Sequence, residues 1–274
     1  MRVGGGAVAR AVGSGGRGGA VARLACLAAA LVLALTAPPA RASGIVSLNL
    51  CTDQFLMLLA PDRVVALSPL ARDPALSVVA EAAGRMPWVR PDAEAVLRLH
   101  PDLVLAGPYG AQTTLAALEG RGVPVVRTRL PESFDEIRAE TRRLASILGA
   151  PARGEALLAA MDARLREVPR RLPVRALPLE ARGYTAAAGS LEDAVLRAAG
   201  LVNAGAGARL GLEQVAAHPP DLLVISQAPD YPSLATDMLR HPVLQGIPRR
   251  SLPPSLLVCG GPWTAEAVSL LAAP

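Results

Sequence analysis

The chain has 274 residues, 51% of them hydrophobic and 3% aromatic, with a formal net charge of +5. That excess lies wholly in residues 1–42, where Arg2, Arg10, Arg17, Arg23 and Arg41 stand without an acid. The rest is balanced in charge and poor in rings for base stacking, which excludes a nucleic-acid-binding protein, yet it is long enough for two lobes of about 100 residues, each with its own core.

Residues 1–42 have the order of a secretory signal peptide. A basic region leads into the apolar run from Leu24 to Leu35, then Pro38-Pro39 and the small-x-small site Ala40-Arg41-Ala42. The run is too short for a comfortable membrane span. Cleavage near Ala42 and a periplasmic location are therefore expected. Cys26 lies near the start of the apolar run, not after it, so lipid attachment is not expected. Cys51 and Cys259 remain, and an exported compartment permits one disulfide between them.

From Gly44 to Leu50 the chain reads as a buried strand. Thr52 or Asp53 can cap a helix to Leu59. A second strand spans 63–67 and stops at Ser68-Pro69. Asp73-Pro74 opens a helix to about Ala83, and 85–91 is a loop. Asp92 caps the next helix, followed by a strand at 103–106, a turn at 107–110, a helix over 112–121 and a strand at 123–126. Ser133 and Glu136 form a capping box for a helix over 134–148. After a break at 149–151, helical spacing of Leu157, Leu158, Met161 and Leu165 runs from Ala152 to Val168. Residues 176–179 make a poor strand because of Pro178. Ser190 caps 191–198 and Gly200 stops that helix. A strand at 222–225, a short helix at 237–239, a strand at 256–258 ending at Cys259, and a helix from Thr264 to Leu271 complete the chain. Strands alternating with helices indicate parallel sheets covered by helices.

One phrase occurs twice. Glu94-Ala-Val-Leu-Arg-Leu-His-Pro-Asp102 runs into Leu103-Val-Leu-Ala106, and Glu213-Gln-Val-Ala-Ala-His-Pro-Pro-Asp221 runs into Leu222-Leu-Val-Ile225. A period of about 120 residues is too long for a solenoid and points to two similar lobes. His100 and His218 occupy matching slots, suited to closing a helix end. No Gly-x-Ser-x-Gly, Walker or His-Glu-x-x-His pattern occurs, so no enzyme is expected.

With these motifs the chain resembles the periplasmic ligand-binding proteins of ABC importers for cobalamin and iron–siderophores. The opening Ile45-Val-Ser-Leu48, the doubled Pro-Asp phrase, the long helix at 152–168 and Gly200-Leu-Val-Asn203 carry the resemblance over roughly residues 44–272. It implies an α/β fold of two similar lobes with central parallel-type sheets, joined by one long backbone helix, with a ligand cleft between them. The expected division is an N-terminal lobe at 43–131, connecting helices at 132–172 and a C-terminal lobe at 173–274. The family carries one permease-docking carboxylate per lobe, at the positions of Glu94 and Glu213. The partner it implies is a dimeric ABC permease, with the binding protein a monomer.

Ligand contacts are expected on loops at the carboxyl ends of strands. These offer Cys51, Thr52, Ser68, Trp88 and Tyr109 in the first lobe, and Tyr184, Gln227, Cys259 and Trp263 in the second. Trp88 falls where the cobalamin-binding relative carries a cleft tryptophan. Aromatic walls suit a large flat ligand, and the expected one is a metal chelate (corrinoid, haem or ferric siderophore) with no intrinsic cofactor. Cys51 and Cys259 are open to several readings: a bridge between the lobes, free thiols touching the ligand, two small buried residues, or the centre of a redox or hydrolytic enzyme on the same fold.

Overall fold

The computed structural model describes residues 44–169, 172–205, 207, 209–226 and 237–273. In the first lobe, β1 (Ile45–Ser47) leads into α1 (Leu50–Leu59), then β2 (Val64–Ala66), α2 (Ala80–Ala83), α3 (Ala93–Arg98), β3 (Leu103–Ala106), α4 (Gln112–Glu119) and β4 (Val125–Arg127). Two helices follow, α5 (Phe134–Ile147) and α6 (Pro151–Arg166). The second lobe runs β5 (Val174–Leu179), α7 (Leu191–Ala198), β6 (Leu201–Asn203), α8 (Leu212–Ala217), β7 (Leu222–Ser226), β8 (Arg249–Leu252) and α9 (Ala265–Ala272).

The described strands form two four-stranded sheets with orders β2-β1-β3-β4 and β6-β5-β7-β8, and every pairing is parallel. The same order therefore occurs twice, with the first strand of each lobe in the interior. The doubled Pro-Asp phrase has a physical role in that symmetry. The Asp102 N–H donates to the Gly44 carbonyl at 2.9 Å, and its carboxylate accepts the Gly44 N–H at 2.7 Å. Asp221 does the same with Arg175, both at 2.9 Å. Each aspartate thus clasps the entry of the third strand to the start of the first, and so sets the register Ile45↔Leu103 and Ala176↔Leu222. His100 and His218 follow α3 and α8 as helix ends, their N–H groups bonded to the carbonyls of Leu97 and Gln214.

The linking helix α6 packs on α5, on α1 of the first lobe and on α9 of the second. Arg153 donates from α6 to the Leu59 carbonyl at the end of α1, at 3.2 Å. One continuous hydrophobic core includes Phe55, Leu56 and Leu59 of the first lobe with Val195, Cys259, Trp263 and Val268 of the second. Burial across that junction favours a single cooperative unit.

Several elements differ from the sequence expectation. Asn49, not Thr52 or Asp53, caps α1, its side chain accepting the Cys51 N–H at 2.9 Å. The helix expected over 73–83 is present only as α2. Asp73 instead accepts the Ala75 N–H in a local turn, and the Gln54 side chain takes the Val78 N–H, competing with helix formation. Pro178 sits inside β5, an interior strand. It is tolerated because β6 is registered only against residues 174–176, so no described strand pairs with Pro178 on that side. The last strand is β8, not 256–258, where a 3₁₀ turn spans Pro254–Leu256. The pair Arg249-Arg250 disguises β8. Arg249 fills the carbonyls of Leu239 and Leu244, and Arg250 those of Leu270 and Leu271 at the end of α9, a favourable place for a cation.

Candidate functional site

The carboxyl ends of the two sheets converge. Cys51, in the first turn of α1 just after β1, is disulfide-bonded to Cys259, which follows β8, with Cα atoms 5.3 Å apart. That joins the lobes at the edges where loops of parallel sheets gather ligands.

In the first lobe the segments at the carboxyl edge expose large apolar side chains: Leu70 after β2, Trp88 beside it, Tyr109 after β3 and Leu130 after β4. Each loop is anchored from behind. Ser68 is fixed by the buried Asp53 of α1. Trp88 lies on a strip added alongside β2, with the Leu67 N–H bonded to the Pro87 carbonyl and the Val89 N–H to the Leu67 carbonyl. Gly107 lies so close to Asn49 that a Cβ would meet its side-chain nitrogen at 2.6 Å, which only glycine avoids. Buried Glu140 of α5 accepts from the Thr128 hydroxyl and the Arg129 N–H, both at 3.0 Å. In the second lobe Tyr184 follows β5 and Val258 follows β8, both exposed. Exposed apolar residues gathered on one rim mark a binding surface more than scattered ones do.

Two of the rings share an arrangement. Trp88 is 46% exposed and the Arg72 guanidinium lies 6.0 Å from its centroid. Tyr184 is 55% exposed and the Arg209 guanidinium lies 5.8 Å from its centroid. Among the described residues neither arginine is paired with a carboxylate; Arg72 donates to the Met86 carbonyl and Arg209 to the Arg182 carbonyl. Tyr109 is 78% exposed, with no such cap among the described residues. Local sequence does not single out Arg72 or Arg209. The signal for them is non-local, since Tyr184 and Arg209 meet through an antiparallel bridge across a long loop.

Five expected contacts are corrected. Thr52 is fully buried, its hydroxyl bonded to Ser47 and to the Asn49 carbonyl. Ser68 is buried and engaged by Asp53. Trp263 is 7% exposed and packs on Phe55 of the other lobe with ring centroids 5.2 Å apart, so it is interlobe core. Cys51 and Cys259 are buried in their disulfide and offer no thiol to a ligand or a reaction. Flanking glycines made Trp263 read as a loop residue, but the turn at Pro262–Thr264 points its ring inward. Gln227 lies outside the described residues. Glu94 and Glu213 are exposed, each the second residue of a six-residue helix and each nine positions before its strand; Glu94 pairs with Arg98 at 2.8 Å.

Asp53, which local sequence marks only as an acid in a first helical turn, lies behind this wall. It is fully buried, and burial pushes its carboxyl up to about 7, opposed by the hydroxyls of Ser47 and Ser68 and the Ser68 amide.

Residues 45–248 match the periplasmic binding protein family. No curated protein sequence matches the chain. Among solved structures, the periplasmic heme-binding protein RhuT from Roseiflexus sp. RS-1 is similar at 27% identity and a TM-score of 0.67, over 84% of this chain and 96% of that one. The vitamin B12 binding protein BtuF of Vibrio cholerae is similar in fold at 20% identity and a TM-score of 0.60, over 84% and 95%. An ABC-type Fe3+-hydroxamate transport protein from Saccharomonospora viridis is similar in fold at 19% identity and 0.62, over 84% and 91%. The chain belongs to the periplasmic binding protein family, whose members bind small molecules and work with ABC permeases.

Proposed function

We propose that the protein captures a flat, carboxylate-bearing metal chelate of the heme class between its lobes and delivers it to a dimeric ABC permease. The observation that carries this is the arginine-capped exposed ring on each lobe, Trp88 with Arg72 and Tyr184 with Arg209. An aromatic face takes the plane of a macrocycle, and a guanidinium beside it takes a carboxylate in a charge-assisted pair. A cobalamin would offer these cations neutral amide oxygens and one phosphodiester in place of two carboxylates, a weaker match. RhuT, the heme-binding relative above, supports the same choice. Leu70, Tyr109 and Leu130 extend the apolar wall.

Glu94 and Glu213 are the docking carboxylates in this account. They hold equivalent places in the two lobes and are open to a partner's arginines, where such pairs set orientation and on-rate. Residues 1–42 act as the export signal, with lobes at 43–131 and 173–274 and the connecting helices between them. The exported protein works as a monomer.

The test is an absorbance titration with hemin, its dimethyl ester, cyanocobalamin and a ferric hydroxamate. Saturable binding of hemin that weakens on esterification, and again in Arg72→Gln with Arg209→Gln, is expected. Equal affinity for hemin and its ester would refute the pairing of arginine with carboxylate, and saturable binding of cyanocobalamin alone would refute the ligand class.

A further inference from the structure

A single carboxyl group lies behind the first-lobe wall. The Oδ1 of Asp53 accepts the Ser68 N–H at 3.0 Å, and its Oδ2 lies 2.5 Å from the Ser68 hydroxyl. Ser68 joins the two segments that touch Trp88. On one side Leu67 is bonded by its N–H to Pro87 and by its carbonyl to Val89, the two residues flanking Trp88. On the other side Ser68 precedes the 3₁₀ turn Pro69–Arg72, its carbonyl accepting the Ala71 N–H at 3.2 Å. Arg72, at the end of that turn, donates to the Met86 carbonyl and covers the Trp88 ring.

We infer that Asp53 is a positioning residue for the ligand wall: through Ser68 its carboxyl holds residues 68–72 down and thereby fixes Trp88 and Arg72. The consequence for binding rests on the function proposed above, but the positioning itself does not.

Among the described residues no cation acts on the Asp53 carboxyl. On the elements packed around it, Arg63 is bonded to the Leu148 carbonyl, Arg72 to Met86 and Arg153 to Leu59. Arg143 pairs with Glu140, Glu81 pairs with Arg85, and Asp73 takes the Ala75 N–H. A buried carboxylate left unpaired is strongly unfavourable. Burial already lifts this carboxyl to about 7. Above that pH ionisation favours hydration of this fully buried carboxyl, and lifting residues 68–72, which Ser68 ties to it, would admit water. The arrangement with these residues packed binds the proton more tightly than the lifted one, so by linkage protonation favours the packed wall and deprotonation loosens it.

The experiment uses the whole ligand-free protein labelled with 5-fluorotryptophan. The chain has two tryptophans, so two fluorine resonances report separately, with Trp88 assigned by Trp88→Phe. From about pH 5.5 to about pH 8.5 the Trp88 resonance should shift with one midpoint near 7 while that of Trp263 stays still. Asp53→Asn, which keeps the shape of the neutral acid, should abolish the shift. Ser68→Ala, which removes a donor to the carboxylate, should raise the midpoint. A Trp88 resonance that is flat in the wild type, or that titrates unchanged in Asp53→Asn, overturns the inference. Hemin affinity should fall above the midpoint in the wild type, by up to about tenfold per pH unit, and stay level in Asp53→Asn. If Trp88→Ala leaves hemin binding intact while the fluorine titration holds, the wall has been misassigned and the positioning stands.

Discussion

Cutting the Cys51–Cys259 bridge is expected to destabilise the protein strongly without dividing it into two independently melting lobes. The bridged residues are 208 apart in sequence, so the cross-link removes a great deal of freedom from the unfolded chain. Loop-closure entropy at that length corresponds to about 5 kcal/mol at 25 °C, at the top of the range of about 2–5 kcal/mol found when native disulfides are removed. For a chain of this size, each kcal/mol moves the melting temperature by about 2–4 °C. A loss of about 3–5 kcal/mol should therefore lower it by about 6–20 °C. The assay is thermal and urea unfolding with and without reductant, alongside Cys51→Ala with Cys259→Ala. The double variant should melt where the reduced wild type does and should ignore reductant. The transition should remain single, because Phe55 and Trp263 still join the lobes through one core. Two reactive thiols in the untreated protein, or no shift on reduction, would refute the bridge. Two separated transitions after reduction would refute the shared core.

The two tryptophans should behave oppositely: Trp263→Ala is expected to cost about 3–5 kcal/mol of unfolding free energy, while Trp88→Ala should leave stability nearly unchanged and weaken hemin binding by about 0.5–1.5 kcal/mol. Equal destabilisation in urea melts would contradict their placement. Asp102→Ala and Asp221→Ala should each lose about 1–2 kcal/mol through the freed strand-entry amide, whereas Glu94→Ala and Glu213→Ala should leave melting and binding intact and abolish uptake. Asp53 should add a pH dependence of definite sign. Its folded-state value near 7 exceeds its ordinary 3.8, so the folded protein holds an extra proton between these values. Stability should then fall as pH rises from about 4 to about 7, by up to about 4 kcal/mol, and level off above. Urea melts of Asp53→Asn should lack that slope; an identical slope in both proteins would show that Asp53 is not its source.

Much of the fold is legible because its signals are local. The Pro-Asp phrase performs a backbone clasp that needs only itself and the start of one strand, so it could be read twice from sequence and placed correctly. Capping by Ser133 and Ser190 is local in the same way. Strand β8 is hidden because its arginines serve carbonyls distant in sequence, and β5 because its proline falls where a neighbouring strand has already ended. The site is less legible for a related reason. Whether a ring beside glycines lines a cleft or joins a core depends on which way a turn aims it, and Trp88 and Trp263 are aimed oppositely. Arg72 and Arg209 acquire meaning only when the Leu67–Trp88 and Tyr184–Arg209 bridges bring distant segments together. Asp53 looks like an ordinary acid in a first helical turn until packing buries it. Sequence leaves the pairing of Cys51 with Cys259 one possibility among several, because the bridge depends on the carboxyl edges of two sheets meeting.

Whether this protein carries a metal chelate between its lobes is decided by native mass spectrometry of the protein isolated from its own periplasm, with an absorption spectrum of the same sample. The account predicts a complex of one protein with a heme-class chelate, whose intense visible band disappears in Trp88→Ala with Arg72→Gln. A protein that carries no chelate and binds none on addition, or one that chemically converts the added chelate, would contradict it.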